Sequence, residues 1–250
     1  MDNVNQEQAS GIIDMHAHIL PGLDDGAEDM QETKAMLQQA YAQGIRGIIA
    51  TPHYKEPNHR VDAAVVRAAA EAVQNIAREI ASDLNIYVGQ EIYYFTGITE
   101  ALDSGRVLSL SGTKAVLVEF FEGVSYQELY QSVRNMMLDG YTPVLAHVER
   151  YACLRKAGCI DELIQTGALM QMNYSSLVAG MRYLGEQMWC RKMVLAGKIH
   201  LLGTDMHRMN YRPPEIRKAI LWLREKAGET CFEQLTRTNP VRLLRGDALI

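Results

Sequence analysis

His16 and His18 stand two residues apart in the apolar run Ile12-Ile13-Asp14-Met15-His16-Ala17-His18. On a β-strand that spacing puts both imidazoles on one face, where they can chelate a cation with little reorganisation. Other apolar runs close in the same way. His53 follows Ile48-Ile49-Ala50-Thr51-Pro52, and Glu91 follows Ile86-Tyr87-Val88-Gly89-Gln90. Glu119 follows Val116-Leu117-Val118, and His147 follows Val144-Leu145-Ala146. The run from Ile199 to His207 ends in Asp205 and His207, again two apart. Any one of His53, Glu119 or His147 alone reads as a hydrogen-bonded polar cap on a buried strand. Taken together they do not, because several buried carboxylates converging without cations would repel strongly. The pattern points to a multinuclear metal site.

The ligand chemistry is imidazole and carboxylate, which suits manganese, iron or zinc. Glu91 has two oxygens with which to bridge cations. Asp25, in the loop Gly22-Leu23-Asp24-Asp25-Gly26, can reach back into the cluster. Asp24 competes for that role, and Asp14 is expected to orient a ligand histidine from outside the coordination sphere.

These residues need strands to aim them. Strand-like runs alternate with helix-like runs from end to end. After the first strand, Glu28–Gln43 reads as a helix that Gly44 stops. Further strands are expected at Gly47–Ala50, Ile86–Gly89, Ala115–Val118, Pro143–Ala146, Ala168–Met172 and Ile199–Gly203. Helices are expected at Val61–Leu84, Thr96–Asp103, Ser125–Leu138, Ala157–Thr166 and Leu184–Ala196, with more at Pro214–Ala227, Thr230–Arg237 and Pro240–Leu244. Such alternation implies a parallel sheet. The expected fold is α/β, a distorted, roughly seven-stranded parallel (β/α) barrel with the metal site at the C-terminal strand ends.

At 250 residues with 48% hydrophobic content, the chain fits one large domain. We expect a tail over residues 1–10 and a single domain over 11–250. A net charge of −5 argues against a nucleic-acid-coating surface. No apolar run approaches the roughly 20 residues of a membrane helix. Met1–Ser10 is polar and lacks the pattern of a signal peptide. None of Cys153, Cys159, Cys190 and Cys231 forms a C-x-x-C pair, so a reduced, cytoplasmic protein is expected.

The whole set of motifs resembles the polymerase and histidinol phosphatase family of metal-dependent phosphoesterases. Within it, the chain is most similar to the bacterial tyrosine-protein phosphatases encoded with capsule or exopolysaccharide genes. The carriers are Asp14-Met15-His16-Ala17-His18, Leu23-Asp24-Asp25-Gly26, Thr51-Pro52-His53, Glu91-Ile92-Tyr93-Tyr94, Val118-Glu119-Phe120, Ala146-His147-Val148-Glu149-Arg150-Tyr151, Asp205-Met206-His207 and Arg212-Pro213-Pro214. The resemblance spans about residues 12 to 245. It implies a site of two or three divalent metal ions, usually manganese, held by His16, His18, Asp25, His53, Glu91, Glu119, His147, Asp205 and His207. It also implies phosphate clamps at Arg150 and Arg212, whose planar guanidinium groups match phosphate oxygens in pairs. The implied substrate is a phosphotyrosine protein, the tyrosine-rich tail of a bacterial tyrosine kinase controlling polysaccharide synthesis. Divalent cations would lower the pKa of a shared water and neutralise the phosphoryl oxygens. The rivals are a histidinol-phosphate-type small-molecule phosphatase, a nucleic-acid phosphodiesterase, an amidohydrolase and a non-catalytic metal-binding regulator.

One further motif invites a different chemistry. Cys231 to Arg237 fits the C-x5-R spacing of cysteine-dependent phosphatases. That mechanism needs a glycine-containing phosphate cradle and a stabilised thiolate. The interval holds no glycine, includes Glu233 and reads as an amphipathic helix, so Cys231 is expected in the core. Tyr54, Tyr93, Tyr94, Phe120, Phe121 and Tyr151 flank the ligand motifs and could form an aromatic rim for an aryl phosphate.

Overall fold

The computed structural model describes residues 11–250, so the tail expected over 1–10 lies outside the described residues. The chain runs β1 (Ile12–Ala17), α1 (Met30–Ala42), β2 (Ile45–Ala50), β3 (His53–Tyr54), α2 (Ala63–Ile80) and β4 (Asn85–Val88). It continues through β5 (Glu91–Tyr93), α3 (Ile98–Asp103), β6 (Ala115–Glu119), α4 (Tyr126–Leu138), β7 (Thr142–Leu145) and α5 (Cys159–Gln165). The last part is β8 (Leu169–Asn173), α6 (Leu184–Leu195), β9 (Leu201–Gly203), α7 (Arg217–Trp222), α8 (Glu229–Glu233) and α9 (Asn239–Leu244). Side-chain caps set several helix starts. Asp29 accepts from the Glu32 amide, Asp62 from Ala64 and Ser125 from Glu128. None of the described helices is long and apolar enough to cross a membrane.

Every pairing between these strands is parallel. They form a three-stranded sheet, β1-β2-β4, and a curled six-stranded sheet, β3-β5-β6-β7-β8-β9. The single ring of about seven strands expected from sequence is therefore divided. Two breaks cause this. After Thr51-Pro52 the chain leaves β2 and re-pairs as β3 in the larger sheet, since a proline offers no N–H to a ladder. After Gly89-Gln90, β4 gives way to β5 in the same manner. Gly89 suits the close packing there, because a Cβ would lie 2.7 Å from Leu110 Cδ2 and 3.3 Å from Leu110 Cα. The far edge of the larger sheet meets β1 through a parallel bridge between Ala17 and Met206.

Alternation sorts the buried side chains into two clusters. Ile13, Met15, Ile49, Leu117, Val144, Leu169 and Leu201 face inward together, closed off by Leu243 and Leu244 of α9. Ile12, Ile48, Val116, Val118, Leu145, Met170, Met172 and Leu202 face the surrounding helices. The inner apolar plug stops where the polar residues of the site begin.

Candidate metal centre

Simple alternation aims Glu119 inward, continuing the inner phase of β6, and Glu91 opens β5 on the same side. The candidates of β1, β7 and the chain after β9 need a backbone device. Asp205, two residues past β9, stands at φ 53°, a left-handed conformation. In β1, Met15 already faces inward, so strict alternation would turn His16 away. The register with β2 steps from Asp14–Ile48 to Ala17–Ala50, one residue more on β1 than on β2. This bulge re-phases the strand and brings His16 and His18 onto the inner side. In β7, Ala146 faces inward and His147 follows with φ 34°, a left-handed conformation that swings its imidazole inward too.

Glu91 occupies the centre. Its Oε2 lies 3.2 Å from His16 Nε2, 3.3 Å from His18 Nε2 and 2.9 Å from His53 Nδ1. Its Oε1 lies 2.8 Å from His147 Nε2. Glu119 faces His147 Nε2 at 3.5 Å. Asp205 Oδ1 faces both His16 and His18, at 3.6 and 3.5 Å. Asp25 Oδ1 is 3.4 Å from His53 Nε2 and 3.5 Å from His207 Nε2. Three ligand-type groupings result: His16, His18 and Glu91; His53, Glu91 and Glu119; and His18, Asp25, His53 and His207.

The loop after β1 resolves the choice between its two aspartates. Asp24 Oδ2 lies 2.7 Å from His18 Nδ1 and accepts from the His53 amide, so it orients histidines from behind. Asp25 is the one that faces inward. Asp14 behaves differently from expectation. It accepts from the Thr204 amide and hydroxyl at 2.8 and 2.6 Å and from the His16 amide, tying β1 to the chain after β9 through the backbone rather than holding an imidazole.

Arg150 and Arg212 reach the same place from turns. A 3-10 turn over Val148–Arg150 carries Arg150 back over the site. After His207 the chain doubles back, with the His207 amide donating to the Arg212 carbonyl at 3.1 Å. Arg150 Nη2 is 2.6 Å and Arg212 Nη1 3.2 Å from Asp205 Oδ2. Both guanidinium groups line the cavity of about 670 Å³ that opens above the cluster, together with Leu23, Tyr54, Lys55, His59 and Tyr93.

This donor set fits divalent cations. His18 has Nδ1 against Asp24, His207 against the Asp205 carbonyl and His16 against Gln171. Each outward contact is an oxygen, which favours the tautomer with Nδ1–H directed at it and the Nε2 lone pair directed into the cluster, the arrangement that metal-bound histidines adopt. His16 Nε2 and His18 Nε2 then face each other at 3.1 Å. Glu91 Oε2, fully buried, has no hydrogen-bond donor despite its three imidazole neighbours. Lone pairs crowded on one point are satisfied by a cation.

The electrostatics agree. Burial opposes ionisation of Glu91, but His16 and His53 hold it well below the usual carboxylate range. Burial likewise opposes ionisation of Asp205, and His16 and His18 hold it low. Burial works against charge on His18, yet its carboxylate partners Asp205, Asp24 and Glu91 push it well up. Glu119, by contrast, is raised to about 7 by burial and by the Glu91 charge.

All nine candidate ligands and both arginines expected from sequence thus meet at one site. The aromatic rim does not form as expected. Tyr54 and Tyr93 line the cavity. Phe120 and Tyr151 are buried and pack edge to face, with the Phe120 amide donating to the Tyr151 hydroxyl. Tyr94 stacks on Phe120, and Phe121 is exposed. Cys231 sits on α8 and Arg237 pairs with Glu233, so no phosphate cradle exists there. All four cysteines are free. Sequence reasoning missed Gln171, Asn173, Lys55 and His59. For the first two the available signal was a polar pair, two apart, inside an otherwise apolar strand.

The profile of the CpsB/CapC family, capsular polysaccharide synthesis, matches residues 12–245. The chain belongs to this family. Among CpsB/CapC relatives, the tyrosine-protein phosphatase YwqE of Bacillus subtilis is 36% identical over 245 residues, covering 95% of this chain and 93% of its own. The tyrosine-protein phosphatase CpsB of Streptococcus pneumoniae is 31% identical over 239 residues, covering 93% and 98%. The crystal structures of YwqE and CpsB, described as unique metal-dependent tyrosine phosphatases, include a chain that matches with a TM-score of 0.87 at 32% identity over 96% of both chains.

Proposed function

We propose that this chain is a metal-dependent protein-tyrosine phosphatase. The observation that carries the reading is the convergence of imidazoles and carboxylates around Glu91 with Arg150 and Arg212 at its rim. We propose His16, His18, Asp25, His53, Glu91, Glu119, His147, Asp205 and His207 as ligands of two or three divalent ions, manganese first among them. Residues 11–250 act as one domain. The two sheets are best read as one distorted seven-stranded barrel, with β2–β3 and β4–β5 each an interrupted strand.

Cations bound by these residues would supply a nucleophile at neutral pH and neutralise charge on the phosphoryl oxygens. The chain does the rest. Glu91, touched by four imidazoles, spans the centre and sets the spacing of the groups around it. Arg150 and Arg212 present donors at the mouth, where equatorial phosphoryl oxygens would lie, and match charge that grows in the transition state. Asp205 Oδ2 holds both guanidinium groups in place beforehand. Tyr93, with Lys55 Nζ 4.3 Å above its ring, offers a wall for the aryl group. The leaving phenolate has a pKa of about 10 and departs with less protonation than an alkoxide needs. The protein substrate we propose is the tyrosine-rich tail of a bacterial tyrosine kinase that controls capsule or exopolysaccharide synthesis.

Steady-state rates with manganese on a phosphotyrosine peptide, histidinol phosphate and a dinucleotide diester test this. The peptide should be turned over with the highest kcat/KM. A preference for histidinol phosphate would move the assignment to a small-molecule phosphatase. Absence of turnover on all three would leave a metal-binding regulator.

A further inference from the structure

β8 carries none of the imidazole or carboxylate groups of the site, yet two of its side chains enter it. Gln171 and Asn173 follow Leu169 on the inner face, while Met170 and Met172 pack outward. Both amides are buried. Gln171 Oε1 accepts from the His147 backbone N–H at 2.7 Å and lies 3.3 Å from His16 Nδ1. Gln171 Nε2 donates to Asn173 Oδ1 at 3.1 Å, and Asn173 Nδ2 donates to Asp205 Oδ2 at 2.9 Å.

This chain of amides has only one possible direction. A backbone N–H can only donate, so the end at His147 must be the Gln171 oxygen. An ionised carboxylate can only accept, so the end at Asp205 must be the Asn173 nitrogen. The middle link then closes donor to acceptor. Flipping either amide would set two donors or two acceptors face to face at both of its contacts.

We propose that Gln171 and Asn173 are positioning residues of the metal centre, a relay that holds His16, His147 and Asp205 in ligand geometry at once. The proposal rests on the metal-dependent reading of the site. At His16 the Gln171 oxygen accepts from Nδ1–H, which leaves the Nε2 lone pair facing Glu91. At His147 it anchors the backbone of a residue held at φ 34°. At Asp205 the Asn173 donor joins the two arginines on Oδ2 and leaves Oδ1 facing His16 and His18. The surroundings are fitted to the relay. A Cβ on Gly203 would sit 2.9 Å from Gln171 Nε2 and 2.6 Å from His16 Cβ, so glycine is what lets the amide lie against β9. Behind, Glu149 Oε1 accepts from the Asn173 backbone N–H and the Ser176 hydroxyl and fixes the end of β8. The grouping of His18, Asp25, His53 and His207 touches neither amide.

Calorimetric titration of metal-free protein with manganese tests the relay, with thermal unfolding of each metal-free variant recorded alongside. Gln171→Met, similar in size but without the acceptor, should weaken part of the manganese uptake by roughly 10–100-fold, the usual effect of losing an outer partner of a metal ligand. The remaining uptake, at the grouping that contains Asp25 and His207, should match wild type. Gln171→Glu keeps an oxygen for His147 and His16 but loses the donor to Asn173 Oδ1, so it should restore only part of the lost affinity. A general packing defect would not give partial loss with rescue. Should Gln171→Met not fold, Asn173→Leu decides, because it removes only the donor to Asp205 and should weaken uptake in the same direction. Wild-type titration in the folded variants overturns the relay. A wild-type protein that takes up no manganese or other divalent ion overturns the metal reading itself, a separate and recognisable outcome.

Discussion

Arg150 and Asp205 form the shortest ion pair at the candidate metal centre, Nη2 to Oδ2 at 2.6 Å, and Arg212 approaches the same oxygen at 3.2 Å. One carboxylate therefore faces the imidazoles with Oδ1 and both arginines with Oδ2. The parts proposed to bind cations and the parts proposed to grip phosphate are not independent. Burial opposes charge on Arg150, and the carboxylates of Asp205, Glu149, Glu91 and Glu119 together more than offset it, holding the guanidinium charged.

Arg150→Lys and Arg212→Lys keep the positive charge but lose the planar fork. We predict that kcat falls more than KM rises, by about 1–3 kcal/mol per arginine in transition-state stabilisation. Metal content should stay at the wild-type level, because Asp205 Oδ1 remains turned toward the histidines. Kinetics with elemental analysis checks this, and unchanged rates in both variants would leave phosphate recognition to the metals alone.

His147 stands at φ 34°, where a side chain is strained and glycine is not. His147→Ala and His147→Gly should both lose metal and most of kcat while remaining folded on the apolar core. Metal-free His147→Gly should be the more stable of the two by about 1 kcal/mol. Urea unfolding measures the difference. Full metal content in either variant would reduce His147 to a strand cap.

His200 lies away from the metal centre and gives a clean acid limb. Burial lowers its pKa from the ordinary 6.5 to about 4, and its Nδ1 accepts from the Met170 amide at 2.9 Å. The folded state keeps this imidazole neutral while the unfolded chain protonates it below 6.5. Its contribution is therefore complete above pH 6.5 and is lost as pH falls to 4, a change on the order of 3 kcal/mol. His200→Asn, which still offers an oxygen to Met170, should flatten the difference in stability between pH 7 and pH 4 relative to wild type. Parallel pH–stability curves would contradict the assignment.

Much of the site was legible from strand ends. Glu91 and Glu119 follow from alternation, and the two-apart spacing of His16 and His18 places both on one face. What turns that face inward is a bulge between Asp14 and Ala17, and spacing says nothing of it. The left-handed turns at His147 and Asp205 are equally hidden. The division into two sheets had a sign in Thr51-Pro52 and Gly89-Gln90, but a strand that breaks and resumes in another sheet reads as one continuous run. Gln171 and Asn173 escaped because amides are not ligand types. Their meaning comes only from what β1, β7 and β9 bring beside them. Phe120 and Tyr151 flank ligand motifs in sequence, yet strand alternation and the turn after His147 send them into the core.

The central claim is that imidazole and carboxylate ligands, without a cysteine nucleophile, make this site hydrolytic. The most direct measurement is hydrolysis of an aryl phosphate and of a phosphotyrosine peptide by protein stripped with chelator, dialysed, assayed for metal and reconstituted with manganese. The account predicts that stripping abolishes turnover, that manganese restores it, and that alkylating Cys153 and Cys231 changes neither. Full turnover by protein shown to be metal-free, or its loss on thiol alkylation with metal retained, would contradict it.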